Sequence, residues 1–304
     1  MRRVRRLLAV VSLAATAFVM AACGNAGDPL SPDSASPSAP VIVGSANVTE
    51  SRILGELYAQ AIGAKGVPVE TKPGLASRDA SIAALKEGSV SVVPESSGGL
   101  LLALDPAAPA TTESEIMQVL PAAIGAELKV LEPAPAQSQL VYVVTKETSQ
   151  KLGITSLDGL EKVPATAVLG GPAQLKDQPY GLPGLQKIYG AKFTQFTPYD
   201  ASALKVADLN ADKIQLAAFS TTDAAIRDND YVRLTDPQSM ILPQNVIPLA
   251  RADVAANTAA VDAIDAVQKV LTTDDLSALN KQVDSGQEDP HQVAATWLKA
   301  KGLA

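Results

Sequence analysis

Residues 41–94 read VIVGSANVTESRILGELYAQAIGAKGVPVETKPGLASRDASIAALKEGSVSVVP, and the fold class follows from this stretch. Val41-Ile42-Val43-Gly44-Ser45 is a short apolar run that ends in small residues, the form of a buried strand meeting a turn. Asn47 stands three residues before Glu50, the spacing of a capping box that opens a helix. Ile53, Leu54, Leu57, Ala61 and Ile62 then recur at helical spacing until Gly63 and Gly66 close the segment. Val67–Thr71 predicts a second strand and Arg78–Glu87 a second helix, stopped by Gly88. Val90–Val93 predicts a third strand, broken by Pro94. Strand, helix, strand, helix, strand is the pattern of a mostly parallel sheet with helices on its faces.

The same alternation resumes after Leu140. Strands are expected at Leu140–Val144, Ala165–Leu169, Lys192–Phe196, Ile214–Phe219 and Val232–Leu234, with helices around Thr145–Leu152, Leu182–Tyr189 and Ala201–Leu209. Beyond Val246–Leu249 the pattern turns helical, over Val254–Leu271, Asp274–Val283 and Gln292–Lys301. Between the two alternating stretches, Glu132-Pro133-Ala134-Pro135 reads as the place where the chain leaves one sheet for another. About 260 residues from Val41 onward is long for one core and suits two lobes with a cleft between them.

The start of the chain sets the compartment. Arg2, Arg3, Arg5 and Arg6 precede an apolar run from Leu7 to Ala21, and Ala21-Ala22 then precedes Cys23. Positive, apolar, then small residues is the order of a secretory signal peptide, expected over residues 1–22. The apolar run is about 15 residues, short of the roughly 20 needed to span a bilayer core. Cys23 is the one cysteine of the chain, so it has no internal disulfide partner. Its setting after Met20-Ala21-Ala22 resembles the lipobox of bacterial lipoproteins, in which the thiol is acylated; a free thiol beside an ordinary cleavage site is the other reading. An acylated cysteine anchors a chain to a membrane without spanning it. Residues 23–40 are built of Pro, Ser, Ala, Gly and Asp and read as a disordered tether. Loss of the four arginines takes the net charge from −7 to −11, which argues against nucleic acid and against a polybasic membrane contact.

Open α/β sheets bind ligands beyond the carboxyl ends of their strands, near helix N-termini. Those places are Ser45–Thr49, Pro94–Gly99, Gly170–Pro172 and Ser220–Asp223, all rich in small or hydroxylated residues that suit a small polar or anionic ligand and equally suit helix caps. Catalytic signals are missing. His291, the one histidine, follows Pro290 at a helix start and reads as a capping or surface residue. There is no His/Cys metal spacing and no phosphate loop, so no cofactor or metal is expected. Asp274-Asp275 and Asp228 with Asp230 read as solvated acids near helix starts and turns. No enzyme is implied.

The segment Val43-Gly44-Ser45-Ala46-Asn47-Val48-Thr49-Glu50 resembles the "(I/V)GSKxFTE" opening of the osmoprotectant-binding proteins of ABC importers, the ProX/OpuC-type receptors for glycine betaine, choline and related solutes. Ile53-Leu54-Gly55-Glu56 continues that opening. Ala84-Leu85-Lys86-Glu87-Gly88 and Pro94-Glu95-Ser96-Ser97-Gly98 are similar to its "AL..G.ID..PEYTGT" stretch. Gly181-Leu182-Pro183-Gly184-Leu185, Phe219-Ser220-Thr221, Asn245-Val246-Ile247-Pro248-Leu249 and the C-terminal Leu271-Thr272-Thr273, Leu279-Asn280 and Val283-Asp284 follow in the family's order. The resemblance implies a type II periplasmic-binding-protein fold, two α/β lobes with a ligand cleft between them. Lobe one would be residues 41–137 with 246–304, and lobe two residues 138–245. It also implies a monomeric, extracytoplasmic receptor that closes on a small polar solute and delivers it to a permease driven by a cytoplasmic ATPase.

Ligand-binding positions carried over from the resemblance are Ala46, Asn47, Glu95, Ser96, Ser97, Gln139, Gln178, Tyr180, Ser220, Thr221, Gln244 and Asn245. Several depart from the family. Its quaternary-ammonium receptors cage the cation with tyrosines, an attraction of roughly 0.5–2 kcal/mol per ring. Here the "EYTG" tyrosine position holds Ser96, the crossover tyrosine position Gln244, the "GSK" lysine position Ala46, and the carboxylate-gripping arginine position Gln178. Tyr142, Tyr180, Tyr199 and Phe219 are the nearest candidates for a partial cage. An amide does not reproduce bidentate Arg–carboxylate pairing, so the expected solute is a neutral, hydrogen-bonding polyol or sugar-like compound. A lipid-anchored sensor or structural lipoprotein that reuses the fold is the alternative from another class.

Overall fold

The computed structural model describes residues 39–304. The expected signal peptide, Cys23 and nearly all of the expected tether lie outside the described residues. No helix among the described residues is long and apolar enough to cross a membrane.

The first sheet is built from β1 (Val41–Ala46), β2 (Val69–Leu75), β3 (Val92–Ser96), β4 (Leu128–Val130) and β10 (Val246–Arg251), in the order β2-β1-β3-β10-β4. The second contains β5 (Leu140–Val144), β6 (Val168–Gly171), β7 (Gln195–Pro198), β8 (Leu216–Ser220) and β9 (Val232–Arg233), in the order β7-β6-β8-β5-β9. Both sheets are mixed. β10 runs antiparallel to β3 and β4, and β5 antiparallel to β8 and β9, each being the strand by which the chain enters a sheet after a crossing.

Each sheet has helices on both faces and its own cores. On one face of the first sheet, α1 (Thr49–Ala64), α9 (Thr258–Val270), α10 (Thr273–Asp284) and α11 (Pro290–Lys301) bury Ile53, Leu57, Ile264 and Leu298 against Val41 and Val43. The other face is covered by α2 (Arg78–Lys86), α3 (Ser97–Leu104) and α4 (Glu113–Ile124), around Leu85, Leu100, Ile116 and Leu120. In the second sheet the alternation of β5 sends Tyr142 and Val144 to the face under α5 (Lys146–Leu152) and α6 (Leu182–Tyr189), and Val141 and Val143 to the face under α7 (Ser202–Asn210) and α8 (Ala225–Asp228). The result is two α/β lobes, each a three-layer sandwich.

Some expectations need correction. Asn47 does not cap α1: the N-cap is Val48, with no side-chain bond, and Glu50 instead accepts from Asn280 Nδ2 on α10 at 2.7 Å. The third strand does not stop before Pro94 but runs through it to Ser96. Pro94 lies directly opposite Pro248 of β10, while the Pro248 carbonyl turns the other way and accepts from Leu131 N at 3.0 Å. Neither proline is asked to donate at that pairing, so a central strand tolerates both. The helices α3 and α4 and the strand β4 fill residues 97–130, where no elements were expected.

Two segments join the lobes. Ala134 N donates to Val246 O and Val246 N to Ala136 O, both at 2.9 Å, and Ser138 N donates to Gln244 O at 3.0 Å, with Gln137 bridged to Asn245. Gln268 of α9, fully buried, supports the base of this ribbon. Its amide nitrogen donates to Val246 O at 2.8 Å and Glu132 O at 3.0 Å, and its oxygen accepts from Tyr58 Oη at 3.0 Å. Gln268→Leu keeps the volume but leaves Tyr58 Oη and Glu132 O without a partner and takes one of two donors from Val246 O. We expect a loss of about 2–4 kcal/mol in urea unfolding, with the fold retained.

Candidate functional site

Two hollows border the ribbon and a third lies between the lobes. One, of about 270 Å³, is walled by the ends of β1 and β3, the first turns of α1 and α2, and the ribbon, with Ala46, Glu50, Ser51, Arg78, Glu95, Ser96 and Ser138 among its lining. A second, of about 300 Å³, lies in the other lobe against Gln137, Gln139, Tyr142 and Asp236. The third, of about 680 Å³, spans both lobes, with Ser220, Thr222, Asp223 and Asp228 facing Asn280, Lys281 and Asp284 of α10. Lys281 Nζ and Asp228 Oδ2 close its rim at 2.6 Å.

The expected ligand positions divide among these places. Ala46, Glu95 and Ser96 come together in the first hollow, Gln139 lines the second, and Ser220 the third. Asn47 is exposed beyond the end of β1. Gln178 and Tyr180 lie outside all three hollows, past the 3-10 turn Ala173–Lys176, and the Tyr180 carbonyl accepts from Tyr142 Oη at 2.7 Å.

Ser97, Thr221 and Asn245 are buried in the joint itself. Ser97 Oγ accepts from Asn245 N at 3.1 Å, and Asn245 Nδ2 donates to Ala134 O at 3.0 Å. Thr221 Oγ1 donates to Gln137 O at 2.6 Å and accepts from Gln139 N at 3.1 Å. From the other lobe Thr273 Oγ1 accepts from Gln137 N at 3.0 Å. These side chains hold the ribbon rather than line a hollow. Gln244 stands beside it: its Oε1 accepts from Gly99 N at 2.7 Å. A Cβ at Gly98 would lie 2.5 Å from Pro243 O, and one at Gly99 2.7 Å from Ser96 Oγ and 2.8 Å from an Arg78 Nη, so both glycines are required where α3 meets the ribbon.

Arg78 was not legible as a site residue. It opens α2, an element read for its apolar side, and carries no motif. Its Nε donates to both Glu95 oxygens, at 3.1 and 3.0 Å, and an Nη to Ser96 Oγ at 3.2 Å. Glu95 is largely buried beneath it and also accepts from Ser96 N at 3.0 Å. His291 behaves as expected of a surface residue, exposed and 2.8 Å from Glu56 Oε2 on α1.

Three rings proposed for a partial cage are core residues. Tyr142 and Phe219 are almost fully buried, and the Lys205 ammonium sits over the Phe219 ring at 3.9 Å from its centroid. Tyr199 is buried with its hydroxyl donating to Asp208 Oδ2 at 2.7 Å. Of the four candidates, only Tyr180 is exposed.

The matching of known proteins fits this geometry. The model of the substrate binding domain of the ABC-type glycine betaine transport system matches residues 39–300. The chain belongs to that family. A glycine-betaine-binding protein of Pseudomonas aeruginosa is 27% identical over 276 residues, covering 86% of this chain and 88% of the relative. The glycine betaine-binding protein YehZ of Escherichia coli is 26% identical over 279 residues, covering 87% and 92%. Among solved structures, a glycine betaine/carnitine/choline ABC transporter protein superposes with a TM-score of 0.79 at 20% identity, over 86% of this chain and 99% of that one. Apo YehZ superposes with a TM-score of 0.73 at 24% identity, over 88% and 100%. The fold is the type II periplasmic-binding-protein fold, and the protein is an extracytoplasmic solute-binding component of an ABC importer, not an enzyme.

Burial, with a smaller contribution from the hydrogen bond to Asp208, pushes the Tyr199 hydroxyl up to about 12, from an ordinary value near 10. The folded state therefore keeps a proton that the unfolded chain gives up. The stability this contributes is whole below about pH 10 and is lost as pH rises from there through about 12. Urea midpoints measured across that range should fall with pH. In Tyr199→Phe, which cannot ionise, the fall should be shallower.

Proposed function

We propose that this receptor is tethered to the outer face of the cell membrane by acylated Cys23 and works as a monomer. In this reading residues 41–137 with 246–304 move as one lobe against residues 138–245. The crevice between them holds a small neutral polar solute by hydrogen bonds instead of caging a quaternary ammonium ion.

The observation that carries the ligand reading is the placement of the aromatic rings. Tyr142, Tyr199 and Phe219 are committed to the core of the second lobe. A cage needs several ring faces within about 6 Å of one cation, and three of the four candidate rings are packed elsewhere. Of these three rings only Tyr142 borders a hollow, the second, with its hydroxyl tied to the Tyr180 carbonyl. Beside charged groups, the polar lining is hydroxyl and amide: Ser51, Ser96 and Ser138 in one, Gln139 in the next, Ser220 and Thr222 in the third. The carbonyl oxygen of the Gln139 side chain is buried with no protein donor. Such a group costs about 1–3 kcal/mol unless a polar atom meets it.

The family relatives are named for glycine betaine, so the two ligand classes can be set against each other directly. Isothermal titration of the purified chain should show uncharged polyols binding more tightly than glycine betaine or choline. Tight betaine or choline binding, with polyols silent, would end this reading. The anchor has its own test. Cys23→Ser should move the chain from the membrane fraction to the soluble fraction, because the acyl chains supply the attachment. A variant that stays with the membranes would show that something else holds it there.

A further inference from the structure

Arg78 is the one cation lining the hollow at the ends of β1 and β3. Two of its three nitrogens are occupied: Nε by Glu95 and Nη2 by Ser96. No acceptor among the described residues takes Nη1, and the side chain is one-third exposed, which leaves Nη1 a donor to offer a solute. The group is held in place from behind. Glu95 grips Nε with both oxygens, and the missing side chain at Gly99 leaves the space in which Nη2, Ser96 Oγ and Gln244 Oε1 converge. Anchoring of this kind lowers the rotamer entropy that an arginine would otherwise lose on binding.

The charge of the hollow limits what that edge can read. Glu95 neutralises Arg78, and Glu50 adds a further carboxylate to the lining, leaving one negative charge in excess. A carboxylate-bearing solute would be repelled. A quaternary ammonium, which has no N–H, could not donate to the serine hydroxyls. A hydroxyl group can accept from Arg78 and donate to Glu50 or a serine in turn.

We propose that Arg78 is the specificity-determining residue of this receptor, donating from Nη1 to a hydroxyl oxygen of an uncharged polyhydroxylated solute. The assignment rests on the neutral-solute reading above. Ser51 and Ser138 line the same hollow.

The test is isothermal titration with glycerol, sorbitol and trehalose, beside glycerate and glycine betaine, on the wild type, Arg78→Lys and Gly99→Ala. Lysine keeps the charge next to Glu95 but loses the planar fork. The Gly99 variant keeps every polar group but displaces the guanidinium. Both should weaken the tightest polyol at least tenfold, and the unliganded Arg78→Lys chain should melt within about 3 °C of wild type. If the wild type binds a polyol and Arg78→Lys binds it equally well, the assignment of Arg78 fails and the neutral-solute reading stands. If betaine or glycerate binds and the polyols do not, the neutral-solute reading fails and takes the ligand class with it. If no probe binds, both fail.

Discussion

The backbone of Gln137 is the constraint on which the molecule turns. Its carbonyl accepts from Thr221 at 2.6 Å in one lobe, and its N–H donates to Thr273 at 3.0 Å in the other. The two lobes have separate hydrophobic cores, so little apolar burial fixes one against the other. Hydrogen bonds along a two-segment ribbon take that part, and hydrogen bonds are directional. A joint made this way allows rotation about the ribbon while resisting translation, the mechanical property that hinge closure requires. The buried side chains of the joint serve the same end. Gln268 braces the base, Asn245 ties the returning segment to Ala134, and Ser97 ties the start of α3 to Asn245. The N-terminus of α3 is thereby held by the ribbon, and Ser96, the last residue of β3, directly precedes it.

How much of this was legible in the sequence depended on whether a segment had a period and two clean ends. Leu140–Val144 is an apolar run with a helix cap behind it, and Leu182–Tyr189 has glycine on both sides; both were placed to the residue. Strands β6, β7 and β8 were placed two or three residues too early, because their apolar residues begin in the approach to the sheet rather than in the ladder. Helix α3 was invisible because Leu100, Leu101, Leu102 and Leu104 leave no polar face to set a period. Helix α4 carries Pro121 inside it, which reads as a break. Pro94 misled for the opposite reason. A proline in a strand looks like a terminator until its partner is known, and its partner is another proline.

The site was legible in its backbone and less so in its side chains. The strand ends after β1, β3 and β8 do border the hollows, as the switch from strand to helix predicts. A sequence position at a strand end says nothing about the direction in which its side chain points. Ser96 and Ser97 are neighbours, yet one shares the hollow with Arg78 and the other is sealed in the joint. Tyr142 and Phe219 were candidates because they sit on the right strands, but they project into the layer beneath the helices. Arg78 escaped for the converse reason, reaching the hollow from an element whose sequence carries no ligand motif.

Family membership and pocket chemistry answer different questions, and the two can diverge without contradiction. The fold, the ribbon and the glycines of α3 form a scaffold; the residues lining its hollows can change with little effect on that scaffold. An aromatic cage works through ring faces and needs no exact hydrogen-bond geometry. An Arg–Glu pair works through directed donors and acceptors and is worth little unless desolvated. The Glu95 carboxylate is largely buried while Arg78 stays partly exposed, so the pair is dry on the protein side and wet on the solute side. Lobe closure would remove that remaining water. The directed bonds then gain strength in the closed state above all, which ties recognition of the solute to the motion that signals its capture.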